Sequence, residues 1–226
     1  MNYLKSEHLK FKRTISNKLL FIIPLMTAVF AWIAGGFTGF QYTALYWWYA
    51  FLLPGAVAIL CSLSHRKEEN APDRHKNMLA KLMYLYGSGI FALFFLFLLF
   101  VIGIHLLEIT DTVPLGTLMG AAAGIAFCNL IICIFHLFLS FKFGLGLSLF
   151  WGVFESLQGI LYSNIERKGI TGYIPFSWSM NWVRDILSRQ IFSYGTEKIW
   201  IAALTAGGLL LILLWFSHWE GRKNYE

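Results

Sequence analysis

Hydrophobic residues along this chain gather in six long runs that polar segments separate. The hydrocarbon core of a bilayer is about 30 Å thick, and a helix needs about 20 apolar residues to cross it. The pattern therefore predicts an all-α integral membrane protein, a single domain over residues 1–226 with six transmembrane helices. The predicted spans are residues 19–39, 42–63, 82–107, 115–141, 143–163 and 199–217.

Composition agrees with this prediction, because a chain that is 58% hydrophobic and only 13% charged cannot bury its apolar surface in one globule. The net charge of +6 does not indicate nucleic-acid binding, since the basic residues flank the apolar runs. Cys61, Cys128 and Cys133 lie inside those runs without metal-ligand spacing. We expect them to be packing residues, and we predict no metal site.

Lys and Arg residues indicate the orientation, because they resist translocation and collect on the cytoplasmic side. If both termini are cytoplasmic, all but five of the 18 Lys and Arg residues lie on that side. The bias predicts a multi-pass protein of the cell membrane with both ends inside. The exceptions fall in the third outer segment, residues 164–198, and are Arg167, Lys168, Arg184, Arg189 and Lys198.

Two polar segments are expected on the cytoplasmic side. In residues 1–17, Leu4, Phe11 and Ile15 share a helix face, which fits an amphipathic interface helix as well as a basic tail that only sets topology. Residues 64–81 carry charges of both signs. That segment is either a solvated linker or a contact for a protein partner.

The outer segment, residues 164–198, carries an apolar stripe from Met180 to Ile191, with Asp185 among the polar residues opposite. The stripe predicts a helix that lies on the outer interface, with Trp178 and Trp182 at headgroup depth. An ordinary aromatic anchor explains the two indoles equally well.

Small residues recur every four positions at the start of the fourth run, at Gly116, Gly120 and Gly124. Such a row lets another helix approach closely. We expect it to pack the helix inside its own bundle in preference to forming a seam between subunits.

The fifth run contains the strongest polar signal of the membrane region, Glu155, with Gln158 one helical turn away. An ionisable side chain is costly in hydrocarbon and usually faces protein or water. We therefore place Glu155 and Gln158 in a translocation path or in helix pairing. His136 and His105 are interpreted as satisfied structural residues.

The sequence has none of the motifs expected of a soluble or intramembrane enzyme. It lacks an HExxH zinc pair, a GxSxG elbow and a GxxxxGK[ST] phosphate loop. We predict no catalytic residue and no cofactor in this chain, so ATP and Mg²⁺ would be held by another subunit.

The order of parts resembles the ABC-2 class of exporter permeases, and in particular the permease subunits of lantibiotic-immunity transporters of the nisin, subtilin and mutacin protection type. The resemblance covers nearly the whole chain and rests on four stretches in combination. They are Tyr3-Leu-Lys-Ser-Glu-His-Leu-Lys-Phe-Lys-Arg-Thr14, Lys76-Asn77-Met78-Leu79, Trp151-Gly-Val-Phe-Glu-Ser-Leu157 and Tyr173-Ile-Pro-Phe-Ser-Trp178.

This resemblance implies a bacterial permease that pairs with a second permease subunit, often a different paralogue, and with two copies of a cytoplasmic ATPase. The cargo would be a lantibiotic peptide, extracted outward from membrane lipid, with Trp178 and Trp182 facing it. Residues 64–81 would form the coupling segment in a groove of the ATPase. Its polar contacts would be Glu68, Glu69, Asp73, Arg74, Lys76 and Asn77.

Two alternatives stay open from the sequence. The chain could be an ABC-2 permease for another antibiotic or a lipid-linked cargo. It could also be an ATPase-independent membrane protein that sequesters a peptide or serves as a scaffold.

Overall fold

The computed structural model describes residues 2–12, 14–36, 39–66, 78–106, 108, 112–163, 174–188 and 195–217. All regular elements in these ranges are helical, which confirms the all-α prediction. In chain order they are α1 (Asn2–Lys12), α2 (Ile15–Gly35), α3 (Phe40–Trp47), a π-helical turn (Trp48–Leu52), α4 (Leu53–Arg66), α5 (Met78–Leu106), α6 (Leu115–Phe143), α7 (Leu145–Ser163), a 3₁₀ turn (Pro175–Ser177), α8 (Trp178–Leu187) and α9 (Gly195–Ser217).

Four helical units are long and apolar enough to cross a membrane. They are α2, the continuous unit formed by α3, the π-helical turn and α4 over Phe40–Ser64, and the 29-residue helices α5 and α6. The fifth predicted run corresponds to α7, in which Glu155 and Gln158 interrupt the apolar sequence. The last run corresponds to α9, whose apolar part is the shorter stretch Trp200–Phe216.

The outer surface of the bundle is strongly apolar. Ile33 on α2 is 72% exposed, Phe94 on α5 is 68% exposed and Leu211 on α9 is 70% exposed. A continuous apolar surface of this kind would be unfavourable in water, where each buried Å² of apolar area gains about 25 cal/mol. These faces are compatible with a membrane protein whose helices contact lipid.

Helix α6 occupies the centre of the bundle, where it packs against α4, α5, α7, α8 and α9. Ala121, Ile125, Cys128 and Leu137 on this helix are all buried. Its starting end is open on one side, where Met119 is 64% exposed. A helix that is apolar all round can contact protein on some sides and lipid on others, so the sequence of α6 shows no amphipathic face.

A tight turn joins α6 to α7 and makes them an antiparallel hairpin. The turn depends on Gly144, whose φ is 89°, a backbone conformation that glycine adopts without the steric cost of a Cβ. The Gly144 N–H bonds to the carbonyls of Leu139 and Ser140 and so ends α6. The turn lies within three residues of position 142, which separates the predicted spans 115–141 and 143–163.

Helix α7 packs closely on the unit formed by the π-helical turn and α4. A Cβ at Gly159 would lie 2.7 Å from the Ala50 carbonyl oxygen, so a larger residue would force the helices apart. The Ser156 hydroxyl lies 3.0 Å from the Phe51 carbonyl oxygen within the π-helical turn and donates to it. This contact satisfies a backbone acceptor where the helical ladder is irregular.

Helix α8 lies beside α6, and its predicted place at the outer interface stays a prediction. Phe176, just before α8, packs on Phe135 of α6 with ring centroids 5.8 Å apart, whereas Trp182 on α8 bonds to Gly120. From Phe176 to Trp182 the residue numbers rise, whereas those of their contacts on α6 fall. The segment therefore runs antiparallel to α6. Asp185, predicted on a polar outer face, is buried.

Helix α1 packs on the start of α5 through Phe11, whose ring centroid lies 4.8 Å from that of Tyr84. Phe11 is buried, whereas Leu4 is 38% exposed and Glu7 is buried, so the burial pattern of α1 is not the predicted one. Of the three residues predicted on the apolar face, only Phe11 is buried. Ile15 begins α2 and is exposed there.

Candidate functional site

Three buried polar side chains of the α6–α7 hairpin form one hydrogen-bonded cluster, which we call the hairpin cluster: His136, Ser148 and Glu155. The imidazole Nδ1 of His136 lies 3.0 Å from the Ser148 hydroxyl oxygen, and its Nε2 lies 3.1 Å from the Glu155 carboxyl oxygen Oε2. All three side chains are at most 1% exposed. The His136 ring is therefore held at both nitrogens.

The local sequence explains how the hairpin cluster forms. Ser148 and Glu155 are seven positions apart on α7 and therefore lie on one face, two turns apart. The turn at Gly144 sets the register of the hairpin, so that His136 on α6 faces the space between them. The register brings together residues that look isolated when each helix is considered alone.

The electrostatics of the hairpin cluster make Glu155 its critical member. A buried carboxylate is stable only when it is paired and hydrogen-bonded. His136 supplies one partner at Oε2, whereas Oε1 has no hydrogen-bond partner within the described part of the chain. The pair can hold a proton between carboxyl and imidazole, or exist as an ion pair when His136 is protonated.

The serine, histidine and carboxyl groups of the hairpin cluster are linked in the same order as in the catalytic triad of a serine hydrolase. Such chemistry requires the hydroxyl to reach a substrate carbonyl. Ser148 is fully buried between the two helices. The geometry ties the helices together and does not present a nucleophile.

Further buried polar contacts join α4, α5 and α6 near the same end of the bundle. The Ser62 and Ser140 hydroxyl oxygens are 3.2 Å apart, which links α4 to α6. The Lys81 ammonium donates to the Ser64 carbonyl oxygen at 3.3 Å and lies over the Phe141 ring, 5.2 Å from its centroid. Polar groups thus connect the helices at the end where α5 begins.

Gln158, which the sequence analysis placed with Glu155, is half-buried one turn further along α7. Its side-chain oxygen Oε1 has no hydrogen-bond partner among the described residues. Glu155 binds His136 and not Gln158. The helix-pairing role considered for Glu155 matches its contacts, and the translocation-path role of both residues stays a prediction.

The three glycines of α6 occupy different surroundings. At Gly124 an added Cβ would overlap the Trp182 indole, and at Gly120 it would lie 3.2 Å from Ile186. At Gly116 nothing lies within 4 Å. In this structure Gly120 and Gly124 admit α8 of the same chain, while Gly116 leaves its side of the helix open.

The two tryptophans predicted to face a substrate are engaged within the chain. Trp178 is 5% exposed and packs with Cys128 and Ile201. The Trp182 indole N–H donates to the Gly120 carbonyl oxygen at 3.1 Å. Their contacts fix α8 against α6, and a role in meeting a peptide stays a prediction.

The coupling residues predicted from the resemblance all lie outside the described residues. They are Glu68, Glu69, Asp73, Arg74, Lys76 and Asn77.

Sequence reasoning missed the hairpin cluster, although it singled out two of its members. It treated His136 as a satisfied structural residue and Glu155 separately, and it did not consider Ser148. The available signal was the distance of each residue from Gly144, because a tight hairpin places residues at similar distances from its turn side by side.

Within the described ranges no group of three His, Cys, Asp or Glu side chains could hold a metal ion. Comparison of the chain with protein-family models, with curated proteins and with solved structures finds no match.

Proposed function

We propose that this chain is the membrane-spanning permease subunit of an ABC-2 type exporter that removes a lantibiotic-like peptide from the membrane. The observation that carries the proposal is the His136–Glu155 pair, buried at 3.1 Å in a bundle whose outer faces are apolar. Ionisable groups inside a membrane are costly and commonly mark the working parts of transporters. The pair joins α6 and α7 inside the bundle.

In this proposal α7 and α9 also cross the membrane, which gives six spans. Helix α7 returns along α6 after the turn at Gly144. Helix α9 runs parallel to α6, since Ile201 clusters with Cys128 near one end and Phe216 packs on Phe141 near the other, with ring centroids 4.9 Å apart. An even number of spans would put both termini on one side of the membrane, and the distribution of Lys and Arg favours the cytoplasmic side.

The energy source must be another protein, because the sequence has no phosphate-binding loop. We propose that residues 64–81 meet a cytoplasmic ATPase present in two copies, beside a second permease subunit. A charged segment suits this task because interface charges fix the register of two partners. The motion of the ATPase pair would then reach α4 and α5, the helices that flank the segment.

The lantibiotic cargo rests on the resemblance of the four sequence stretches. A cationic peptide lodged at the outer leaflet would be extracted outward. Another antibiotic or a lipid-linked cargo would use the same subunit plan.

Copurification tests the coupling segment. The tagged chain is isolated in mild detergent from cells that contain its partners, and bound chains are identified by mass spectrometry. We expect an ATPase to copurify with the wild type and with a control in which exposed Lys12 and Lys18 are alanine. Replacement of Arg74 and Lys76 by alanine removes the same number of charges and should abolish recovery. An ATPase that stays bound to that variant would contradict the coupling role.

Cell survival in the presence of antibiotics tests which cargo the transporter removes. Cells that express the complete transporter are exposed to nisin-type lantibiotics and to bacitracin. Protection against the lantibiotics alone supports the proposed cargo, protection against bacitracin alone would assign another one, and protection against neither would contradict the lantibiotic cargo.

A further inference from the structure

An open cleft of about 570 Å³ separates α3 and the π-helical turn from α8. One wall is formed by α3 and the π-helical turn and the other by α8, and their lining combines apolar side chains with phenol hydroxyls and one guanidinium. We call it the tyrosine cleft and define it by Tyr42, Tyr46, Tyr49, Met180, Arg184 and Leu187.

Regular helical spacing produces the tyrosine cleft. Tyr42, Tyr46 and Tyr49 follow one another at intervals of four and three positions, so their rings share one face. Met180, Arg184 and Leu187 repeat the same intervals on α8. The placement of α8 beside α6 turns these two faces towards each other, which the sequence alone did not reveal.

The cation in the tyrosine cleft has no acidic counterpart. The Arg184 guanidinium nitrogen Nη2 donates to the Asn181 side-chain oxygen at 2.9 Å, and this neutral amide does not cancel its charge. Arg184 forms no ion pair with a carboxylate in the part of the chain that the structure describes. A half-buried guanidinium that pairs with no anionic side chain is a favourable binding site for an anionic ligand.

The hydroxyl groups of the tyrosine cleft can also donate. Neither Tyr42 nor Tyr49 makes a hydrogen bond to the described residues. Tyr42 is exposed, so its hydroxyl is accessible from the open side. A ligand with several acceptor oxygens would engage the guanidinium and the phenols together.

The tyrosine cleft lies towards the Leu115 end of α6, because Trp182, one turn before Ile186 on α8, packs at Gly120 and Gly124. In the membrane orientation of the proposed function, on which this inference depends, that end faces the outer leaflet. Tyrosines at this depth lie among lipid headgroups, and basic pockets between spans bind anionic headgroups.

We propose that the tyrosine cleft binds the phosphate of an anionic membrane lipid. Arg184 pairs with the phosphate oxygens, the phenols of Tyr42 and Tyr49 donate to them, and Met180 and Leu187 contact the adjoining apolar part of the lipid. A cationic peptide would be repelled by Arg184, whereas the apolar residues beside the cation favour an amphipathic anion.

Native mass spectrometry of the full chain in mild detergent tests the site with phosphatidylglycerol and phosphatidylcholine of identical acyl chains. We expect preferential binding of phosphatidylglycerol. Arg184→Gln should weaken it roughly tenfold, as loss of a charge-assisted hydrogen bond does, and Tyr42→Phe should weaken it less. Lys18→Gln, which removes an exposed cation of α2, should leave binding unchanged.

Equal binding of both lipids, or unchanged phosphatidylglycerol binding in both cleft variants, would overturn the proposal. Displacement of the lipid by an equal concentration of glycerol phosphate would show a site for free phosphate and overturn its assignment to lipid. The assay needs only this chain, so failure of ATPase copurification leaves its result interpretable. Proper folding of each variant is checked by circular dichroism.

Discussion

The imidazole Nε2 of His136 on α6 lies 3.1 Å from the carboxyl oxygen Oε2 of Glu155 on α7. Because both side chains are buried, this contact replaces the hydration that each group loses. It also fixes the register of the α6–α7 hairpin at a point well away from its turn. The pair is therefore both a structural link and a pair of buried ionisable groups that depend on each other.

Glu155→Gln is expected to reduce peptide resistance severalfold while the protein still inserts into the membrane. Glutamine keeps the shape and can bond to His136, but it cannot carry the charge or exchange a proton. Survival on lantibiotic and the amount of protein in the membrane fraction are measured together. Unchanged resistance at equal protein level would leave Glu155 with a packing role only.

His136→Leu is expected to destabilise the bundle more than the double replacement of His136 and Glu155 by leucine. The single change leaves a buried carboxyl without its partner, which costs about 3–5 kcal/mol, whereas an apolar pair of similar volume is often tolerated. Apparent melting temperatures in detergent give the comparison. A double variant less stable than His136→Leu would show that the pairing is not the main contribution.

Gly124→Ala is expected to cost about 1–3 kcal/mol, since the new methyl group meets the Trp182 indole and α8 must shift. Gly116→Ala is the matched control, because no atom lies within 4 Å of the new Cβ and alanine favours helix. Thermal unfolding, monitored by circular dichroism, compares the stabilities of the two variants. Equal stability of both variants would contradict the packing of α8 on α6.

The long helices themselves follow from the sequence, because each apolar run corresponds to a helical unit. The predicted span at residues 82–107 and the helix Met78–Leu106 differ only at their ends. The placement of α8 could not be predicted, since it depends on the fit of Trp182 to Gly124, which are 58 positions apart in the sequence. An amphipathic stripe shows that a helix has a buried face, and it does not show which surface covers that face.

The hairpin cluster illustrates the same difference between local and tertiary information. Glu155 is an ionisable residue in an apolar run. Its importance could therefore be predicted from the free-energy cost of placing such a group in hydrocarbon. The partner of Glu155 could not be predicted, because His136 is 19 positions away and the pairing depends on how sharply Gly144 turns the chain. The tyrosine cleft was unpredictable for the same reason, as its two walls meet only after α8 packs beside α6.

The most direct test of the proposed transporter is the side of the membrane on which residues 64–81 lie. Lys76→Cys and, as an outer control, Glu108→Cys are labelled with a membrane-impermeant maleimide; the three native cysteines are buried. The account predicts that Glu108→Cys is labelled in intact cells and Lys76→Cys only after permeabilisation. Labelling of Lys76→Cys from outside intact cells would contradict it, because no cytoplasmic ATPase could then bind the segment.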